Sequence, residues 1–250
     1  MRLLPGICGI VLGLVGFAAQ ATTVDHHDHS EVHFDYISGS AQDAANIEAA
    51  EITTQEAALD AIFSQAGFTS PIDIRFNSTL TLTTTTLHDV DTQAKSLELL
   101  FGTLPFTTPS NEIFIFYVDS ISACGSTIGN SNIVGCAATP GNRIYVQSST
   151  AAGSRGAELL GHELGHNLGL GHRSGGLMNS SLNGQVTMNS TEIAIVENSS
   201  LRQFDGQDFF FEITPVLVEF QTAVPVPLPA TGLLLIGAIG AGVVTRKRRR

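Results

Sequence analysis

The chain has 250 residues, with 23 acidic against 12 basic side chains and a formal charge of −11. An excess of that sign excludes nucleic-acid binding by phosphate neutralisation and suits an exported, soluble protein. Six of the basic residues, Arg2 and those at 246–250, lie at the two ends with no acid beside them, so the stretch between carries −17.

Met1 to about Ala21 holds one Arg, an apolar run from Ile7 to Ala19 and the small-residue string AAQA. That is the pattern of a secretory signal peptide, expected over residues 1–21. Read instead as a transmembrane helix, the run falls short of the roughly 20 residues needed to span a bilayer. Residues 22–40 are polar and acidic and include DHHDHSEVH. They are expected to be a flexible leader or the first part of a strand, with histidines able to scavenge metal.

Residues 41–222 are long enough for one domain with a sizeable core. Thr53 and Glu56 have capping-box spacing, and Leu59, Ile62, Phe63 and Ala66 follow at i, i+3, i+4 and i+7 before Gly67. This predicts an amphipathic helix. IDIRFNSTLTLTTTT alternates and predicts one or two strands. A second helix is expected over Thr92–Phe101, ended by Gly102. NEIFIFYVDSI is the clearest strand, and NIVGCAAT and RIYVQSS are shorter strands joined around Pro140 and Gly141. A helix from about Ser154 to Leu168 places Ala157, Leu160, Leu164 and Leu168 on one face. Another is expected from about Ser190 to Asn198, then a strand at DFFFEITPVLV. The order predicts a mixed α/β or α+β domain, with α+β, a mixed sheet carrying the 154–168 helix, as the expected class.

Three cysteines are present. Cys8 would leave with the signal peptide. An oxidising compartment favours a bond between Cys124 and Cys136, which excludes a Cys-only metal site.

The densest chemistry is HELGHNLGLGH, His162 to His172. His162 and His166 are four apart on a helix, so their rings share a face and can converge on one metal. Glu163 can hold a water beside the metal and act as general base. Gly169 suits a left-handed turn at the helix end, which lets His172 return as a third ligand. Three neutral imidazoles leave the fourth zinc position open, as catalysis requires.

The string fits H-E-x-x-H-x-x-G-x-x-H and resembles the metzincin metalloproteases, most closely in the matrixin version. The resemblance implies a zincin fold, a Zn2+ cofactor, a peptide or protein substrate and endopeptidase activity. It also implies a Met-turn, for which Met178 in GGLMNSS is the candidate; its other reading is an ordinary core methionine. By the same resemblance an antiparallel edge strand, about Asn132 to Ala138, pairs with extended substrate. Arg173 stands where matrixins have Ser, no Tyr follows Met178, and no cysteine switch precedes the site. A non-catalytic zinc-binding surface or matrix protein on the same fold, and a metal scavenger led by DHHDH, are the rival readings. DGQD at Asp205–Asp208 is too short to indicate a calcium loop.

Residues 223–250 read AVPVPLPATGLLLIGAIGAGVVTRKRRR. They resemble the VPLPA variant of the PEP-CTERM sorting signal. That implies a Gram-negative bacterium, an exosortase-type processing enzyme, and contact with the inner membrane only through the tail. The exported product would be secreted or at the cell surface. The alternative is a permanent anchor, but Leu233 to Val244 gives only about 18 Å of helix against about 30 Å of hydrocarbon. Mass spectrometry of protein from the native host should find a chain ending near Pro229; one still ending at Arg250 would make the tail an anchor.

Overall fold

A computed structural model describes residues 49–220, which fall inside the expected folded domain. The signal peptide, the His-rich leader and the sorting tail lie outside the described residues. In chain order come α1 (Ala49–Phe63), β1 (Ile72–Phe76), β2 (Leu80–Thr84), β3 (Asp89–Val90), α2 (Gln93–Phe101), β4 (Glu112–Val118), β5 (Ser120–Ile121) and β6 (Ala123–Cys124). Then follow β7 (Thr127–Ile128), β8 (Gly135–Ala137), β9 (Arg143–Gln147), α3 (Ser148–Ala151), α4 (Gly156–Asn167), α5 (Ser190–Glu197), β10 (Gln203–Phe204) and β11 (Phe209–Phe220). No described helix is long and apolar enough to cross a membrane.

The first helix corrects one expectation. Thr53 and Glu56 lie inside α1, so they do not cap it, and α1 ends at Phe63 before Ala66. The Glu56 carboxylate instead accepts from the Phe76 backbone N–H at the end of β1, 3.2 Å away. The buried Asp60 carboxylate does the same for Ile74 at 2.7 Å. Long-range demand for acceptors has overridden the local capping pattern. At α2 the expectation holds: Thr92 is the N-cap and Gly102 the C-cap.

The sheet is mixed, which agrees with an α+β domain. Its main order is β1–β11–β4–β9–β8, with β2 and β10 also paired to β11. β1, β11, β4 and β9 run parallel, and β8 joins the β9 edge antiparallel. β1 and β2 pair with successive parts of β11, and Pro215 falls opposite the break between them. A proline has no N–H for a ladder, so the string IDIRFNSTLTLTTTT makes two strands.

β4 is buried on both faces, which explains its unbroken apolar run. Ile113, Ile115 and Tyr117 face the core beneath α1 and α4, while Phe114, Phe116 and Val118 face the core shared with α2. Fully burying one such side chain stabilises by about 1.5–3 kcal/mol. Two polar side chains in the α1 core pair in series: Tyr117 Oη donates to Gln55 Oε1 at 2.8 Å, and Gln55 Nε2 donates to the Ala151 carbonyl at 3.0 Å.

Two ties fix the antiparallel edge. Cys124 and Cys136 form a disulfide, with Cα atoms 5.7 Å apart, joining β6 to β8. At the far end, Asn167 Nδ2 donates to the carbonyls of Ala138 and Arg143 at 2.9 and 3.1 Å, and the Asn167 carbonyl accepts from Gly141 N–H at 3.1 Å. The last residue of α4 therefore holds the β8–β9 turn. A disulfide closing so short a loop contributes about 3 kcal/mol on the chain-entropy model. Free-thiol titration of denatured, unreduced residues 22–224 should give none; two thiols would show that the bond does not form.

Candidate metal centre

Helix α4 carries the site. Its start is packed tightly, since a Cβ on Gly156 would meet the Ala151 carbonyl oxygen at 1.9 Å. Gly161 and Gly165 let neighbours approach: Cβ atoms there would stand 3.1 Å from Ile62 Cδ1 and 2.5 Å from Met178 Sδ. Leu160, Leu164 and Leu168 are buried in the α1 core, as the helical period requires. Near the N-terminus, the Glu158 carboxylate accepts from Asn183 and Gly184 N–H groups and holds the loop after Met178.

The helix ends in a Schellman motif. Leu170 N–H bonds the Gly165 carbonyl and Gly169 N–H bonds the His166 carbonyl, each at 2.9 Å. Gly169 has φ 99°, which favours glycine, so the expected left-handed turn is present. The reversal returns His172 to the helix. Its Nε2 lies 3.2 Å from His162 Nε2 and 3.1 Å from His166 Nε2. The three side chains could hold one metal ion.

The outer nitrogens make the ring orientations specific. His162 Nδ1 lies 2.8 Å from the Leu177 carbonyl, and His166 Nδ1 lies 2.8 Å from the Leu170 carbonyl. A carbonyl can only accept, so each Nδ1 carries the proton. In the neutral ring the lone pair is then on Nε2, aimed at the common point. Burial is the main cause that lowers both pKa values, with His166 brought to about 4. Both rings are therefore neutral near pH 7, the form that binds a metal.

Glu163, the neighbour of the first ligand, is 5 % exposed, and its Oε2 has no hydrogen-bond partner among the described residues. Burial pushes its pKa up to about 8. An acceptor kept dry and unpartnered next to a ligand set is costly unless something donates to it. The three-imidazole donor set thus fits a metal site, and Glu163 next in sequence carries an oxygen with no partner among the described residues.

Met178 is fully buried, its sulfur against Gly165 and its carbonyl accepting from Arg173 N–H at 2.9 Å. Met188, the other downstream methionine, belongs to the same core at 8 % exposure. Several contributors were not foreseen. The carbonyls of Leu170 and Leu177 have no side-chain signature. Arg173, next to the third histidine, pairs with Glu192 in the first turn of α5. Asn189 and Glu192 make a capping box, and NSTE carried that signal in the sequence. No protein-family model, curated protein or solved structure matches the chain.

Metal analysis of dialysed protein should find about one ion per chain, reduced in each of His162→Ala, His166→Ala and His172→Ala. Stoichiometric metal in all three variants would overturn the ligand assignment.

Proposed function

We propose that the protein is an exported zinc-dependent endopeptidase of metzincin type. The observation that carries the reading is the convergence of three imidazole nitrogens, with the buried Glu163, one oxygen of which is unpartnered among the described residues, next in sequence to His162. Nitrogens about 2.0–2.1 Å from a tetrahedral zinc stand about 3.3 Å apart. The separations of 3.1 and 3.2 Å to His172 Nε2 are close to that spacing. An all-imidazole set suits zinc and leaves one position for substrate or water.

A zinc ion held by His162, His166 and His172 would supply Lewis acidity to the scissile carbonyl and the attacking water. Glu163 takes the proton from that water and delivers it to the leaving amine. Burial alone would keep the acid protonated near pH 7; the charge of a zinc ion close by would favour the carboxylate, and the dry surroundings then leave it a strong base towards a nearby donor. The Nδ1 bonds to Leu170 and Leu177 hold two ligand rings, so the ligand geometry is set before substrate arrives. Met178 packs against Gly165 and serves as the floor of the site.

The edge strand β8 supplies the place for substrate. Its pairing among described strands is to β9 alone, so its other edge can take an extended peptide by β-augmentation. By the metzincin resemblance, the Arg173–Met188 stretch would wall a substrate pocket beside the zinc. The ends fit the same reading: a signal peptide for export, and a tail for an exosortase-type enzyme that leaves the acidic domain secreted or at the cell surface.

Glu163→Ala should retain zinc and fold while peptide cleavage falls by roughly 100-fold or more, as for loss of a general base. The assay is cleavage of a random peptide library with and without chelator. Activity within about tenfold of the parent would remove Glu163 from the base role, leaving a zinc-binding protein without this mechanism.

A further inference from the structure

We propose that Gly135, the first residue of β8, is a positioning residue for the Glu163 carboxylate: the space its side chain would fill is the space the carboxylate occupies. A Cβ at Gly135 would stand 2.5 Å from Glu163 Oε1, 2.9 Å from its Cδ and 2.8 Å from Leu159 Cδ1. These are far inside van der Waals contact.

The contrast with its neighbours identifies the cause. Gly125 and Gly129 have φ of 55° and 73°, and a Cβ on either would meet nothing within 4 Å. They are turn glycines, required for their backbone. Gly135 is the reverse case. Its φ lies outside the left-handed range, so its backbone suits any residue, and only the approach of Glu163 and Leu159 leaves no room.

The strand is the firmer partner in this contact. β8 is held by its ladder with β9, by the Gln147 N–H to Val134 carbonyl bond at 2.8 Å, and by the Cys124–Cys136 disulfide one residue on. Leu159 is a core residue at 1 % exposure. The Glu163 carboxylate ends a flexible side chain and has an oxygen bonded to nothing among the described residues. A methyl group at position 135 therefore displaces the carboxylate, and β8 stays in place. The same strand then sets both the line along which peptide substrate lies and the position of the base that acts on it.

This inference rests on the endopeptidase reading for its catalytic half, and on geometry alone for the contact. The test is a double-mutant cycle of Gly135→Ala and Glu163→Ala. Gly135→Ala should keep stoichiometric zinc and a KM near the parent's, with kcat down by about 100-fold, the loss typical of a 1 Å misplacement. It should also lower Tm in the parent and less in the Glu163→Ala background, where only Leu159 Cδ1 still crowds the position. A kcat within about threefold of the parent overturns the positioning role. Additive Tm changes overturn the contact, whether or not the chain cleaves anything. If Gly135→Ala alone fails to fold, recovery of the fold in the double variant supports the contact, and failure of both overturns it. A parent chain without peptidase activity would instead overturn the endopeptidase reading, and with it the catalytic half of this inference.

Discussion

The site depends on two hydrogen bonds that involve no functional side chain on their far side. The Leu177 and Leu170 carbonyls accept from Nδ1 of His162 and His166, and so choose the tautomer that turns both Nε2 lone pairs inward. The Leu170 bond exists because of the Schellman turn at Gly169, which folds the chain back over the last turn of α4. The Leu177 bond exists because Met178 packs against Gly165 and brings its own segment under the helix. A side chain at either glycine would disturb the acceptor before it touched a ligand.

The remaining architecture holds α4 in register with the sheet. Asn167 ties its C-terminus to the β8–β9 turn. Glu158 ties its N-terminus to the loop beyond Met178. Arg173 and Glu192 join the third-ligand loop to α5 through a partly buried ion pair. Removing one partner of such a pair costs more than the pair contributes, because the other charge is left in a poor solvent. These ties explain how a short three-residue edge strand is placed against the helix that carries His162 and His166.

Much of the site was legible in the sequence because it is local. His162, Glu163, His166, Gly169 and His172 fall within eleven residues, and helical period with one left-handed glycine suffices to relate them. The strand in EIFIFYV, the helix over Gln93–Phe101 and the Cys124–Cys136 pairing were legible for similar reasons. What was not legible is non-local. Nothing in DFFFEITPVLVEF shows that the last described strand enters the sheet between β1 and β4. The capping-box spacing of Thr53 and Glu56 misleads because both lie inside α1 and Glu56 accepts from Phe76 N–H, 20 residues away. The carbonyl acceptors of Leu170 and Leu177 are backbone groups, and sequence pattern carries no trace of them. Gly135 looks like any loop glycine until the side chain opposite it is known.

In the proposed site, three imidazoles from one helix and its return loop hold a single ion with one position left open. Zinc-edge X-ray absorption on the metal-loaded protein tests this most directly. It should show three imidazole nitrogens and one oxygen at about 2.0–2.1 Å. A shell with fewer than three imidazoles, or one closed by a fourth protein ligand, would contradict it.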